Sequence, residues 1–432
     1  MSSVWTDTTS ATIFPTLKES VKTEVLIIGG GITGILCAHY LQQAKIPYLL
    51  AEASSICSGI TKNTTAKITA QHGLIYHKLL HSLGREKAAL YLESQNQALS
   101  EYQQLCKHIP CHFENKPNFI YATKNSMLLE KELVALEQLR FPALFSSSLP
   151  IPVSIAGAIG FPNQAQFHPL QFLTELAKPL HIYERTKIVG LDGTTAFTDH
   201  GTITAKAVII TTHFPFLNKH GSYFLKLYQH RSYVLALEQA AKYPGMYADE
   251  SKEGLSFRNY GNQLLLGGGS HRTGKAGGAW EELRTFAKKN YPSAKETAYW
   301  ATQDCMSLDE IPYIGQYSAR TPRLFVATGF NKWGMTNAMV AAKLLRDLLT
   351  KGSSPYQSLY SPSRNILKPQ LMVNMAESVS NLLSPTTKRC PHLGCALKWN
   401  PVEHSWDCPC HGSRFDASGT LIDNPATGNL KH

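Results

Sequence analysis

Two short boxes near the C-terminus hold the densest chemistry in the chain: Cys390-Pro391-His392-Leu393-Gly394-Cys395 and Cys408-Pro409-Cys410-His411-Gly412-Ser413. Each offers a thiolate and an imidazole at short spacing. That suits a [2Fe-2S] cluster with Cys390 and Cys408 on one iron and His392 and His411 on the other, closed by two loops. Neutral imidazoles in place of two thiolates leave such a cluster less negative and readier to accept an electron. Cys₂His₂ ligation also suits zinc, although zinc requires neither the Gly-Ser after His411 nor the extra cysteines. Far upstream, Val25-Leu26-Ile27-Ile28 runs into Gly29-Gly30-Gly31-Ile32-Thr33-Gly34. Gly29 permits a tight turn, Gly31 lets a pyrophosphate approach the backbone, and Gly34 lets helix and strand pack closely, while free amides at the helix start bind the anion. A second apolar run, Tyr48 to Ala51, ends at Glu52, whose carboxylate can accept from ribose hydroxyls. An arginine there would have indicated a 2′-phosphate.

The first of these pieces demands a strand, turn, helix and second strand in order, and the sequence has them, with the helix expected from Ile35 to about Ala44. Ala53 to Ile75 is an irregular polar segment in which Asn63 to Lys67 can meet phosphate or a flavin edge. Helices are expected over 86–106, 127–140 and 170–177, with a crossing between domains at Phe161 to Pro169. Alternating runs at 232–237, 254–260 and 263–267 predict an antiparallel sheet. Gly329 to Thr336 is another glycine-interrupted strand-to-helix turn, whose dipole suits negative charge on a reduced flavin. Lys351 to Ser363 reads as a linker.

Composition sets the bounds. A chain of 432 residues, 43% hydrophobic and 17% charged, has room for two or three domains. The net charge of +11 is scattered in doublets such as Lys288-Lys289, which indicates a solvated surface rather than a nucleic-acid face and also fits an acidic electron-transfer partner. Met1 to Ser20 lacks the pattern of a secretory signal, and the apolar run Val25 to Cys37 is broken by glycines and too short for a transmembrane segment. A cytoplasmic protein is expected. Four of the nine cysteines crowd into the tail, where a reducing compartment favours metal over disulfides alone.

Together these pieces resemble the D-amino-acid-oxidase-like (glycine and sarcosine oxidase) family of FAD oxidoreductases, over about Lys22 to Thr350. The resemblance rests on the N-terminal fingerprint with Glu52, on Asp309 to Gly315, and on Ala327-Thr328-Gly329 through Gly334-Met335-Thr336. It implies that Gly29, Gly31, Gly34 and Glu52 hold the ADP half of FAD, with Lys67, Gly329, Gly334, Met335 and Thr336 nearer the flavin. Some members attach the flavin through a cysteine ahead of the position of Asp309. Cys305 lies at a shorter spacing, so non-covalent FAD is expected. No motif for clamping an amino-acid carboxylate is recognisable, and Arg258, Tyr233 and His271 are the catalytic candidates, each with an ordinary structural role as its alternative.

The two boxes resemble those of Rieske proteins, of the type in which a further cysteine in each loop forms a disulfide; Cys395 and Cys410 occupy those positions. The likeness continues through Arg414-Phe415-Asp416 and Asn424-Pro425-Ala426-Thr427, but the strands that usually open such a domain are missing, and 371–383 is helical in pattern instead. So short a domain leaves its cluster either more exposed or dependent on the flavoprotein body or a partner for cover. The expected architecture is therefore α/β: a Rossmann-like FAD-binding domain (1–80, 150–220 and 305–350), an antiparallel-sheet substrate domain (81–149 and 221–304), a linker (351–375) and a small all-β Rieske domain (376–432). The expected activity is a dehydrogenase that oxidises an amine or amino-acid-like C–N bond and passes electrons from flavin to the cluster and on to an acceptor protein or quinone. Its alternative is an electron-transfer protein reduced by a protein partner, without a small substrate. A ring dioxygenase is disfavoured, for the chain lacks a convincing two-His-one-carboxylate site.

Overall fold

The computed structural model describes residues 2–9, 12–218 and 220–430. Val21–Ile28 pairs in parallel with Tyr48–Ala51 on one side and Gly201–Ile210 on the other, and Leu324–Thr328 extends the parallel set. Leu26 and Ile27 are fully buried, as befits a strand covered by other elements on both faces. Helix Ile32–Gln43 packs against one face beside helix Gly334–Lys351.

The second sheet runs in the order Lys295–Ser307, Leu227–Glu238, Gln263–Arg272, Ser256–Tyr260, Met246–Asp249, Glu114–Ala122, Gly157–Gln166 and Lys67–Ile68. It is antiparallel except where Met246–Asp249 runs parallel to Glu114–Ala122, so the sheet is mixed. The tail adds a four-stranded antiparallel sheet of Lys398–Asn400, Ser405–Asp407, Arg414–Asp416 and Leu421–Asp423.

The expected crossing at Phe161 to Pro169 runs from strand Gly157–Gln166, continuous in the second sheet, into helix Pro169–Ala177, which packs on Ile32–Gln43. A register shift against Lys116 and Asn118 absorbs the proline as a bulge, with Asn163 at φ 55°. Helix Tyr76–Leu105 starts ahead of its expected boundary because the chain kinks at Gly84 (φ 80°) and then resumes. The expected linker is strapped down: Tyr360 is buried on Ser94 and Gln95, and Arg364 donates to both carboxylate oxygens of Asp309 while lying 3.8 Å from the Tyr313 ring centroid. Helix Pro369–Leu383 follows, burying Leu371, Asn374 and Asn381. No helix among the described residues is long and apolar enough to cross a membrane.

Candidate functional site

The glycine turn has the shape its residues require. Gly29 sits at φ 110°, where a side chain would be strained, and a Cβ on Gly34 would come within 1.9 Å of the Gly29 carbonyl oxygen. Glu52 accepts from the Gly30 amide at 2.7 Å and the Ser54 amide at 2.8 Å, which fixes its carboxylate over the turn. Burial raises its pKa, and those amides oppose the rise. From this turn a cavity of about 940 Å³ passes Lys67 and His72 and reaches the strands around Ser232 and Asp304, with Gly329 and Gly334 on its wall. His213 Nε2 is buried there without a partner. A dinucleotide fits this frame: backbone amides and a fixed acid at one end, an unpaired imidazole nitrogen and a helix N-terminus further along.

The FAD-side candidates divide. Lys67 is on the wall, and burial, with the like charge of Arg258 behind it, pushes its ammonium down to about 7. Met335 also lies on the wall, but Thr336 turns its hydroxyl to Thr69 O at 3.1 Å and lies 3.0 Å from His72 Nε2.

Arg258 does not line the cavity among the described residues. Its guanidinium is buried against Trp5 and donates to Thr65 O and Ala66 O, bracing the backbone that presents Lys67. Tyr233 and His271 are brought together, with Tyr233 Oη 2.9 Å from His271 Nε2, but the same hydroxyl donates to Glu403 of the tail at 2.9 Å. His271 Nδ1 lies 2.9 Å from Arg272 O, so both of its ring nitrogens are engaged within the protein.

Other wall residues had escaped notice. His72 stacks on Trp333 at 5.3 Å and is pushed down to about 3 by burial, so it is neutral. Lys332 donates to Lys252 O at 2.9 Å, Ser232 Oγ at 3.2 Å and Ser270 Oγ at 3.4 Å. It follows Asn331, and both are left-handed (φ 53° and 72°), a strain held in place by Asn331 bonding Ser307 and Gly329. The asparagine was the available sequence signal, since it tolerates that conformation better than most residues.

In the tail, the two boxes form matching loops. Gly394 N donates to Cys390 O and Cys390 N to Cys395 O; Gly412 N donates to Cys408 O and Cys408 N to Ser413 O, all at 2.9 Å. Both glycines are left-handed. The Cys390 and Cys408 thiols hydrogen-bond each other, which holds Cys390 below the ordinary thiol pKa and Cys408 above it. The imidazoles of His392 and His411 lie 4.9 Å apart, pushed down to about 4 and about 3 by burial and hence neutral, the form that binds metal. His392 Nδ1 and both ring nitrogens of His411 are buried and unpartnered. Two facing thiols and two neutral imidazoles with orphaned nitrogens are the donor set of a histidine-ligated iron pair. The sulfurs of Cys395, Cys408 and Cys410 also lie within 4.8 Å of one another, but Cys395 and Cys410 form a disulfide, which removes them as ligands and pins one loop to the other.

Residues 24–348 match the family described as FAD dependent oxidoreductase. The chain belongs to that family. Residues 364–432 of this oxidoreductase match the Rieske [2Fe-2S] domain, which settles the tail in favour of iron over zinc. FAD and a Rieske cluster are thus its cofactors. A Bacillus subtilis protein named as a Rieske 2Fe-2S iron-sulfur protein, YhfW, is 34% identical over 99% of the oxidoreductase and 96% of its own length. The tail alone is similar to the cytochrome b6-f complex iron-sulfur subunit 2 of Trichormus variabilis, at 55% identity over 10% of this chain and 24% of that protein. In fold the oxidoreductase is similar to glycine oxidase from Geobacillus kaustophilus, with a TM-score of 0.68 and 20% identity over 80% of this chain and 99% of that one. It is likewise similar to L-proline dehydrogenase from P. horikoshii, with a TM-score of 0.67 and 16% identity over 81% and 98%.

Proposed function

We propose that the protein is a cytoplasmic dehydrogenase that oxidises the C–N bond of a small amine carrying an anionic group, such as an amino acid, and delivers the electrons through its own tail to an acceptor protein or quinone. The observation that carries this reading is Lys332. Its ammonium is held inside the cavity by two serine hydroxyls and a carbonyl, and no carboxylate lies within ion-pair distance among the described residues. An ammonium on the cavity wall whose direct partners are all neutral dipoles, with Asp304 and Glu253 acting only from farther off, is a receptor for an anion.

In this reading Gly29, Gly31, Gly34 and Glu52 hold the adenosine end of FAD, and Lys67, Gly329, Gly334 and Met335 hold the flavin end. Thr336 acts from behind, by fixing His72. Cys390, His392, Cys408 and His411 hold the cluster. Bound FAD supplies a two-electron hydride acceptor, and the cluster a one-electron acceptor. The flavin is held without a covalent bond: Cys305 lies on the wall, but burial pushes its thiol up to about 12, so it is protonated and a poor nucleophile. Tyr233 and His271 act as positioning residues through Glu403, and Arg258 acts through the Thr65-Ala66 backbone.

Similar folds occur in glycine oxidase and L-proline dehydrogenase, which supports an amino-acid-like substrate. Anaerobic addition of a panel of amines and amino acids, watched for bleaching of the flavin band, tests the reading. Amino acids should bleach it, the corresponding amines without carboxylate should not, and Lys332→Met should raise the concentration needed. Bleaching by none of them, together with reduction by a redox protein, would replace the dehydrogenase with an electron-transfer protein.

A further inference from the structure

We propose that the tail is a resident electron acceptor: it receives electrons in its docked position, across residues 211–218, without leaving the body. The proposal rests on the reading above that electrons pass from FAD to the cluster. One electron leaves reduced FAD and converts one ferric ion of the cluster to ferrous, and the flavin releases its proton to solvent as it is reoxidised. The second follows once an external one-electron acceptor has reoxidised that ion.

Residues 211–218 continue from strand Gly201–Ile210 and touch every relevant group in turn. Thr211 donates its hydroxyl to Ile28 O and Gly29 O, both at 2.9 Å, tying the segment to the nucleotide turn. Thr212 and His213 form part of the cavity wall. Phe214, fully buried, places its ring centroid 6.3 Å from that of His392 and 6.3 Å from that of His411. Asn218 Oδ1 lies 2.9 Å from His392 Nε2. The ligand imidazoles therefore look into the body, with His411 2% exposed.

The seat is also fastened at the cluster loop itself. Four successive carbonyls accept from body side chains: Pro409 at 3.1 Å and Cys410 at 3.3 Å from Arg272, His411 at 3.0 Å from Gln229, and Gly412 at 2.8 Å from Gln303. In return Asn424 of the tail donates to Thr212 O at 2.6 Å and Phe214 O at 2.8 Å. A tail that left this seat to make its transfer would have to break all of these bonds on each turnover. Each bond exchanged for bonds to water on undocking lowers the undocked population by about fivefold.

The test uses the full-length protein loaded with FAD and cluster. Its flavin is reduced by anaerobic illumination with a sacrificial amine, and flavin and cluster absorbance are followed separately as sucrose raises the viscosity. A docked acceptor gives a cluster-reduction rate independent of viscosity and of protein concentration. A rate falling in proportion to viscosity overturns the proposal. Asn424→Ala combined with Gln229→Ala, confirmed as loaded by its flavin spectrum and reduced-cluster EPR signal, should slow the step about tenfold and make it viscosity-dependent. Transfer in that loaded variant at the parent rate would remove the clamp from the account. Phe214→Leu should slow the step without introducing viscosity dependence, and an unchanged rate would remove Phe214 from the route. A wild-type cluster that stays oxidised beside reduced flavin at every viscosity is a different failure, that of the flavin-to-cluster reading itself.

Discussion

Replacing Glu403 by glutamine should weaken the seat of the tail while leaving the body folded. Glu403 belongs to the tail, and its carboxylate is shared by Arg231 and Tyr233 of the body and Arg414 of the tail. The side chains of Glu403 and Arg231 are 5% and 3% exposed, so the substitution removes one partner of a buried ion pair, at a typical cost of about 3–5 kcal/mol. The surroundings decide where in that range it falls. Arg414 keeps Asp407 and Asp423, each at 3.0 Å, and Tyr233 keeps His271. Only Arg231 is stranded, with Asp423 at 4.0 Å as its remaining acid. The lower end therefore applies, about 3 kcal/mol, or about a hundredfold in the docking equilibrium. A chain of several domains has no single unfolding free energy, so the assay is a urea titration read at two signals, cluster absorbance and flavin fluorescence. Glu403→Gln should move the cluster transition to lower urea and leave the flavin transition nearly in place. Arg231→Met with Glu403→Met, which removes both charges, should recover most of the loss. The penalty should also fade in acid. Burial raises the Glu403 pKa, but Arg231 and Arg414 more than reverse this, leaving it below the ordinary value. Its stabilisation is therefore complete above about pH 4.3 and is lost as pH falls through the folded value. A shift equivalent to under about 1 kcal/mol, or a double variant as weak as the single one, would refute the reasoning.

FAD binding to apoprotein should take up a proton between about pH 7 and 10.5, because an anionic cofactor edge restores the charge that burial removes from Lys67. Calorimetry in two buffers of different ionisation enthalpy checks this, and heats that do not differ, or that still differ in Lys67→Met, would count against it. The same depressed value makes Lys67 a liability to the apoprotein, fully present below about pH 7 and gone above 10.5, so apoprotein stability should rise with pH across that window. Gly34→Ala forces a methyl group to within 1.9 Å of Gly29 O, which overpacks the turn by about 1–3 kcal/mol. It should give folded protein with FAD affinity lowered at least about tenfold, measured by flavin fluorescence quenching. Cys395→Ser with Cys410→Ser opens a loop of sequence separation 15, worth about 3 kcal/mol in the unfolded tail, and should speed iron release to a chelator. An unchanged half-life would show that the bond does not brace the loops.

What could be read from sequence was local. The glycine turn depends on absent side chains at fixed spacing, and the cluster loops on donors two and three residues apart, so both survive without knowledge of the fold. The helix expected over 170–177 is Pro169–Ala177 in the structure, because a proline in its first turn and an apolar stripe mark it locally. Pro162-Asn163 marked the crossing in sequence, but that these residues form a bulge is visible only against the partner strand. Tyr233 and His271 were catalytic candidates. They do meet, but strand pairing places Tyr233 where Glu403 of the tail can also reach it, a contact between residues far apart in the chain. Lys332 and His72 belong to no local pattern, and their importance depends on what the sheets bring beside them.

The same distinction explains the shortness of the tail. A domain of its size cannot bury much apolar surface alone, and its hydrophobic cluster consists mainly of Cys390, Cys395, Leu397, Cys408, Cys410, Phe415 and Ala426, four of them cysteines of the two boxes. The strands missing before Cys390 would have enlarged that core. Their place is taken by surfaces the body already has: Phe214 and Phe224 against the imidazoles, Gln229, Arg272 and Gln303 against the loop carbonyls, and Arg231 against Glu403. Stability and the proposed electron transfer then make the same demand, because the contacts that cover so small a domain are those that turn His392 and His411 toward the body. A substitution that loosens the seat should lower both together, and one that affects the rate alone must act on the residues lying between the two centres.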